Sequence, residues 1–190
     1  MNNEQLTRAR ILNETSELFQ KKGVKFTMDE LAAQLKMSKK TLYNYYSDKE
    51  DLFSHTIDFV FDQIMVEKKQ IMEQEDLELL DKTAKVLKVF PKQYEHLNFQ
   101  QILTLGEKYP PLYQKILTRL ENNWEMTIEL LEEGKKKGLL RNFSIPIFQS
   151  MYEATIEHFL SRSVLHENKL TYQEALNEVV EIMLDGIKTK

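Results

Sequence analysis

Three stretches of this chain carry the same start signal for a helix. Thr27-Met28-Asp29-Glu30, Ser47-Asp48-Lys49-Glu50 and Thr171-Tyr172-Gln173-Glu174 each place a hydroxyl residue three positions before a glutamate. At that spacing the hydroxyl accepts from the N3 amide while the glutamate reaches back to the N-cap amide, so two orphan donors are satisfied together. The first two boxes constrain the fold most, because Ser38 supplies another cap between them. One short helix with Leu31, Ala32 and Leu35 facing inward, and a second carrying Leu42 and Tyr46, must then meet within two to four residues around Lys36-Met37. Two short helices joined that tightly form a helix-turn-helix.

Little in the remaining sequence competes with helices. The 190 residues contain only 5 Gly and 4 Pro, too few for the turns that a β-rich fold needs. Ahead of the helix-turn-helix, Ile11, Thr15, Leu18, Phe19 and Lys22 share one helix face, which Lys21-Lys22-Gly23 stops with a cationic last turn and a glycine. Beyond it, apolar periodicity predicts helices over 48–73, 76–95, 98–108, 110–137, 145–164 and 171–187. Pro91 should kink or end the second of these, Pro110-Pro111 fits a helix start, and Lys135-Lys136-Lys137-Gly138 fits a stop. The expected fold is all-α: a three-helix domain containing the helix-turn-helix over 1–47 and a second helical domain over 48–190.

Composition narrows the function classes. With 42% hydrophobic and 29% charged residues the chain is of globular type. The absence of Cys removes disulfides, thiolate metal sites and a thiol nucleophile. MNNEQLTRAR has no apolar signal core, and Leu52–Met65 is interrupted by His55, Asp58, Asp62 and Gln63, so a cytoplasmic protein without a membrane partner is expected. His55, His96, His158 and His166 form no metal-binding spacing, and Glu153, Glu157 and His158 read as a polar helix edge. No glycine-rich phosphate loop is present, so no enzyme activity, cofactor or metal is expected.

Charge points to an anionic partner. The net charge is −4, yet residues 1–50 hold 9 basic and 7 acidic side chains while the remainder hold 17 and 23. The segment MSKKTLYNYYSDKE gathers cations, phenols and hydroxyls on the second short helix. A recognition helix needs short polar groups at its start, long donors along its outer face, and flanking groups for phosphates. Ser38, Lys39, Lys40 and Thr41 occupy the first turn, with Tyr43 and Asn44 one turn on, within reach of base edges. Tyr45 and Lys49 should reach the sugar-phosphate backbone, and Thr27, capping the preceding helix, should offer its hydroxyl to another phosphate. A merely solvated lysine face would explain the cations, but not the aligned caps and the tight turn beside them.

The stretch RILNETSELFQKKGVKFTMDELAAQLKMSKKTLYNYYSDKEDLF, Arg10 to Phe53, resembles the DNA-binding domain of TetR (tetracycline-repressor-like) transcriptional regulators. The resemblance lies in Ile11-Leu12, Leu18-Phe19, Gly23, Thr27, Leu31-Ala32, Ser38-Lys39, Thr41-Leu42-Tyr43, Tyr45-Tyr46, Lys49-Glu50 and Leu52-Phe53. YPPLYQKI and KKGLLRNF fit the family's second domain more loosely. It implies a homodimer whose two recognition helices read successive major grooves of a palindromic double-stranded operator. Where the family usually has glycine in the turn this chain has Lys36, which adds a cation near the phosphates at a cost of about 1 kcal/mol if its φ is positive.

In that family the C-terminal domain pairs the subunits and often encloses an effector. Two late stripes suit pairing as half of a four-helix bundle. One is Ile147, Phe148, Met151, Tyr152, Thr155 and Phe159; the other is Ala175, Leu176, Val179, Val180, Ile182 and Met183. Phe90, Tyr94, Phe99, Leu103, Tyr113, Leu117, Trp124, Met126 and Ile156 could surround an apolar or aromatic ligand, although such stripes also form plain core. The expected function is a dimeric repressor released from its operator by such a small-molecule effector. The alternative is a regulator of the same fold without an effector, controlled by a protein partner. A helical enzyme or interaction module with an incidental basic stretch is the more distant rival.

Overall fold

The computed structural model describes the chain apart from residues 1, 92–93, 95–98, 163 and 190, and apart from the side chains of Phe99 and Gln100. Its named elements are all helical. They are α1 (Asn3–Lys22), a 3-10 turn (Gly23–Lys25), α2 (Met28–Gln34), α3 (Lys39–Tyr45), α4 (Lys49–Met72), α5 (Leu79–Leu87), α6 (Phe99–Lys108), α7 (Pro110–Glu121), α8 (Glu125–Lys136), α9 (Ile145–Ser161), α10 (Val164–Glu167) and α11 (Tyr172–Asp185). The chain divides into two compact units, Met1–Asp62 with Asn98–Thr118, and Gln63–Leu97 with Arg119–Lys190. This division by packing falls inside α4 and not at the 47/48 boundary drawn from sequence.

The local signals explain most helix ends. Thr27 and Thr171 cap α2 and α11 with complete boxes, each hydroxyl accepting from the amide of Glu30 or Glu174. Gly23 stops α1 at φ +58°, and Gly138 follows α8 at φ +69°. At α4 the cap is Asp48, one residue later than expected: its carboxylate accepts from Asp51 N at 2.8 Å, while Asp51 reaches back to Ser47 N at 2.8 Å. The predicted helix over 110–137 is two helices, because Asn123 takes φ +69°, a left-handed conformation that asparagine tolerates better than most residues. The helix expected to reach residue 95 ends at Leu87, before Pro91, whose ring disfavours helical backbone at the residue preceding it.

In the first unit, α1, α2, α3 and the start of α4 close around Ile11, Leu31, Leu42 and Leu52, none of which has any exposed surface. Phe53 sits edge-on to Phe19 at 5.6 Å and to Phe26 at 5.5 Å, with Tyr109 at 5.9 Å. Burying such a ring stabilises the fold by about 1.5–3 kcal/mol. Gln101 of α6 donates to Gln20 O near the end of α1 (3.1 Å), and Lys115 of α7 pairs with Asp58 of α4 (2.5 Å).

In the second unit, Val86, Leu131, Ile156, Leu176 and Val180 make the core. The Tyr152 hydroxyl donates to Leu87 O at 2.8 Å, tying α9 to α5, and Trp124 meets the Tyr152 ring edge-on at 5.3 Å. Phe90, Tyr172 and Phe159 form an aromatic run, with centroids 4.8 Å and 6.4 Å apart. Arg141 N donates to Ile187 O at 2.8 Å and anchors the chain after α11.

Candidate nucleic-acid interface

α3 is held by one buried side and leaves the other free. Leu42 and Tyr46 are buried. Lys39, Lys40, Thr41, Tyr43 and Asn44 are exposed, as are Thr27, Lys36 and Ser38. The split follows from helical spacing, which sets Leu42 opposite Lys40 and Asn44 with Tyr43 at the flank, while the extended Tyr46 folds in after the helix. Ser38 caps the helix by accepting from Thr41 N at 3.0 Å, and its hydroxyl shares a 2.7 Å hydrogen bond with that of Thr41. Both hydroxyls therefore stand in fixed positions at the start of α3.

The turn into α3 has the expected backbone. Lys36 lies at φ +54°, and the Lys36 and Met37 amides close α2 by donating to Ala33 O and Ala32 O. Arg10 of α1 donates from Nη2 to Leu35 O at 2.8 Å, at the last residue before that turn. Arg8 lies over the Tyr45 ring at 5.3 Å and 6.0 Å from the Tyr46 ring. Neither arginine was singled out from sequence; the Arg10 contact joins positions 25 residues apart, so no local pattern announces it.

The lysines are not equivalent. Lys39 pairs with Asp29 at 2.8 Å, and that carboxylate, as hydrogen-bond acceptor and as charge, raises the ammonium pKa. Lys49 departs from the expected phosphate contact. Its Nζ donates to Val24 O at 2.6 Å and to Phe26 O, and it lies 4.2 Å from the centre of the Phe26 ring. The irregular chain between α1 and α2 supplies carbonyls without helical partners, and the ammonium satisfies them. Burial pushes its pKa down to about 8, and the like charge of Lys108 adds to the effect.

Of the expected pairing residues, three lie in the core and a fourth is tied to its own chain. Phe148, Leu176 and Val180 are core residues at 4%, 1% and 0% exposure, and the Tyr152 hydroxyl is bonded to Leu87 O. Phe159 is half-buried against Tyr172, and Thr155 donates to Met151 O of its own helix. Apolar surface is offered instead by Ile147 at 61%, Met151 at 57% and Ile182 at 65%, with Val179 and Met183 half-buried beside them. The sequence stripes mix core and surface because the exposed Ile147, Met151 and Ile182 continue the apolar pattern of the buried side, among polar neighbours such as Glu157, His158, Glu178 and Glu181.

The residues expected to enclose a ligand fall in both units. Phe90, Tyr94, Trp124, Met126 and Ile156 belong to the second, and Leu103, Tyr113 and Leu117 to the first. Tyr94, Trp124 and Ile156 are buried, the other five half-buried. The side chain of Phe99 lies outside the described residues, as does His96. A cleft of about 500 Å³ opens in the first unit between Lys21–Lys25 and Gln101 and Thr104 of α6; none of the expected ligand residues lines it.

Comparisons with known proteins agree with this geometry. Residues 11–56 match the family described as bacterial regulatory proteins, tetR family. Over 182 residues, 94% of each chain, the protein is 32% identical to an uncharacterised HTH-type transcriptional regulator, YvaF, of Bacillus subtilis strain 168. A crystal structure of a TetR transcription regulator from Haloarcula marismortui is similar with a TM-score of 0.72 at 15% identity, covering 96% of this chain and 99% of that one. The transcriptional regulator FadR from Bacillus subtilis, solved in complex with stearoyl-CoA, is similar with a TM-score of 0.62 at 19% identity, covering 93% and 97%.

Proposed function

This chain belongs to the tetR family of bacterial regulatory proteins, and on that footing we propose that it is a homodimeric repressor that leaves a palindromic operator when a small apolar or aromatic ligand binds its helical C-terminal region. The family makes it a DNA-binding transcriptional regulator and not an enzyme. The observation that carries the finer reading is the outward face of α3, where Lys40, Thr41, Tyr43 and Asn44 stand exposed around a buried Leu42. Lys40 and Asn44 are the side chains suited to guanine and adenine edges in a major groove. Ser38, Thr27, Lys36 and Tyr45 flank them as phosphate contacts, and Lys39 joins them from its pair with Asp29. Lys49 acts indirectly, by holding the loop that leads into Thr27.

Pairing rests on Ile147 and Met151 of α9 and Ile182 of α11, the large apolar side chains these helices leave in water. A two-fold dimer would set its recognition helices about 34 Å apart, one turn of DNA. A ligand that prefers another separation weakens operator binding by its differential affinity for the two states, typically about 1–3 kcal/mol. The division of labour between residues 1–47 and 48–190 belongs to this reading, with the unbroken α4 (Lys49–Met72) as the connecting element. FadR in complex with stearoyl-CoA supports a ligand with a long apolar part. None of the described helices is long and apolar enough to cross a membrane, which suits a protein that meets DNA in the cytoplasm.

The test is footprinting and a salt-dependent gel shift on DNA flanking the gene, with stoichiometry from sedimentation. A symmetric footprint bound by two chains is the expected result. Binding by a single chain, or protection without two-fold symmetry, would reject the dimeric reading. A thermal-shift screen of apolar and acyl ligands, repeated on the operator complex, decides between this and effector-free control.

A further inference from the structure

We infer that Arg10 is a positioning residue for sequence recognition: from α1 it pins the turn of the helix-turn-helix and so sets the angle at which α3 meets base edges. The inference rests on α3 being the reading element. The turn is a weak point by its own chemistry. Its pivot, Lys36, holds a left-handed φ of +54° that a lysine adopts only under constraint from its surroundings. The Lys36 and Met37 amides are bonded back to α2, which fixes the entrance of the turn. Leu35 O is the carbonyl at the pivot itself, and it accepts from Arg10 Nη2 at 2.8 Å.

Arg10 is an exposed residue, yet its Nη2 is committed to Leu35 O, which makes it a clamp on the turn. Its guanidinium is turned onto a backbone carbonyl of its own unit, where a charged donor is stronger than a neutral one. Two residues earlier in α1, Arg8 lies over Tyr45, at the other end of the same segment. The arginines thus bracket the recognition helix, one at the turn before it and one on the tyrosine that ends it. Because Ser38, Lys40, Thr41 and Asn44 are all carried by those few residues, a small rotation at the turn moves every one of them against the bases together. Phosphate contacts tolerate such a rotation better, since long cations follow the backbone while base contacts depend on fixed geometry.

The experiment compares wild type with Arg10→Met and Arg10→Lys, and measures affinity for the operator and for unrelated DNA across a salt series, with melting temperature as a control. Arg10→Met should lose about tenfold in operator affinity, much less on unrelated DNA, and keep the salt slope. Arg10→Lys, which retains a donor, should recover part of the loss. In a Lys36→Gly background, where the turn is no longer strained, Arg10→Met should cost measurably less. Equal losses on both DNAs with a shallower salt slope would make Arg10 a phosphate contact and overturn the inference. A lowered melting temperature with an unchanged operator-to-unrelated ratio would overturn it equally. Should wild type itself show no preference for any sequence, the α3 reading fails first, and that result is distinguishable because it needs no variant.

Discussion

The recognition segment and the α9–α11 pair are both helical, and both are read here as surfaces that meet a partner. They differ in how the partner surface relates to the core. In α3 the two use different chemistry: Leu42 and Tyr46 go inside, while lysines, hydroxyls and Asn44 go outside. In α9 and α11 they use the same chemistry, so Leu176 at 1% exposure and Ile182 at 65% come from one apolar pattern. A polar partner leaves a signature that burial cannot imitate, and an apolar partner does not.

The largest effect that sharpens this comparison is on stability. Leu176→Ala should cost about 3 kcal/mol in urea unfolding, because it leaves a cavity in the core, whereas Ile182→Ala should change stability by less than about 0.5 kcal/mol once dimer dissociation is separated by varying protein concentration. If both cost the same, the burial contrast between them is wrong. Next comes pairing. Met151→Asp with Ile182→Asp should weaken self-association by about a hundredfold or more by sedimentation equilibrium, since each carboxylate would be desolvated at the interface. A double variant that stays dimeric would move the pairing surface elsewhere.

On the polar side, Lys40→Ala should relax preference at one operator position by about 1–3 kcal/mol in a binding-site selection. Lys39→Ala should change it less, because Asp29 already holds that ammonium. An identical consensus from Lys40→Ala and wild type would break the proposed reading face. The smallest effect belongs to Lys49, whose pKa of about 8 lies below its ordinary 10.5. Between those two values the unfolded chain binds more protons than the folded one, so stability should rise with pH through that window. After discounting for solvent screening the gain should be about 1 kcal/mol, measured by urea unfolding at both ends of the window and absent in Lys49→Met. Lys49→Met should also keep the salt slope of DNA binding, since the ammonium faces carbonyls.

Much of the helix layout was legible because its signals are local. Thr27 and Thr171 cap through residues three positions away, and the turn at Lys36 follows from two caps set close together. The misplaced cap at Ser47 has a local reason too, since Ser47 and Asp48 are both good caps and Asp51 chose between them only in three dimensions. What the sequence hid depends on long-range packing. Lys49 reads as a free cation until the carbonyls of Val24 and Phe26 are placed beside it. Tyr152 reads as interface until its hydroxyl is seen on Leu87 O. The break at Asn123 interrupts an apolar period that by itself would have continued.

The left-handed Lys36 has a consequence for how binding strength can change without the fold changing. Glycine there would relieve strain in the native turn, yet it would also give the denatured chain more freedom to lose on folding, and the two terms are each about 1 kcal/mol and opposite in sign. Replacing Lys36 by Gly should therefore be nearly neutral for folding while removing one cation from beside the DNA. Position 36 is in that sense a dial decoupled from the scaffold: exchange between the two residues shifts affinity for all sequences together and leaves both stability and consensus close to where they were.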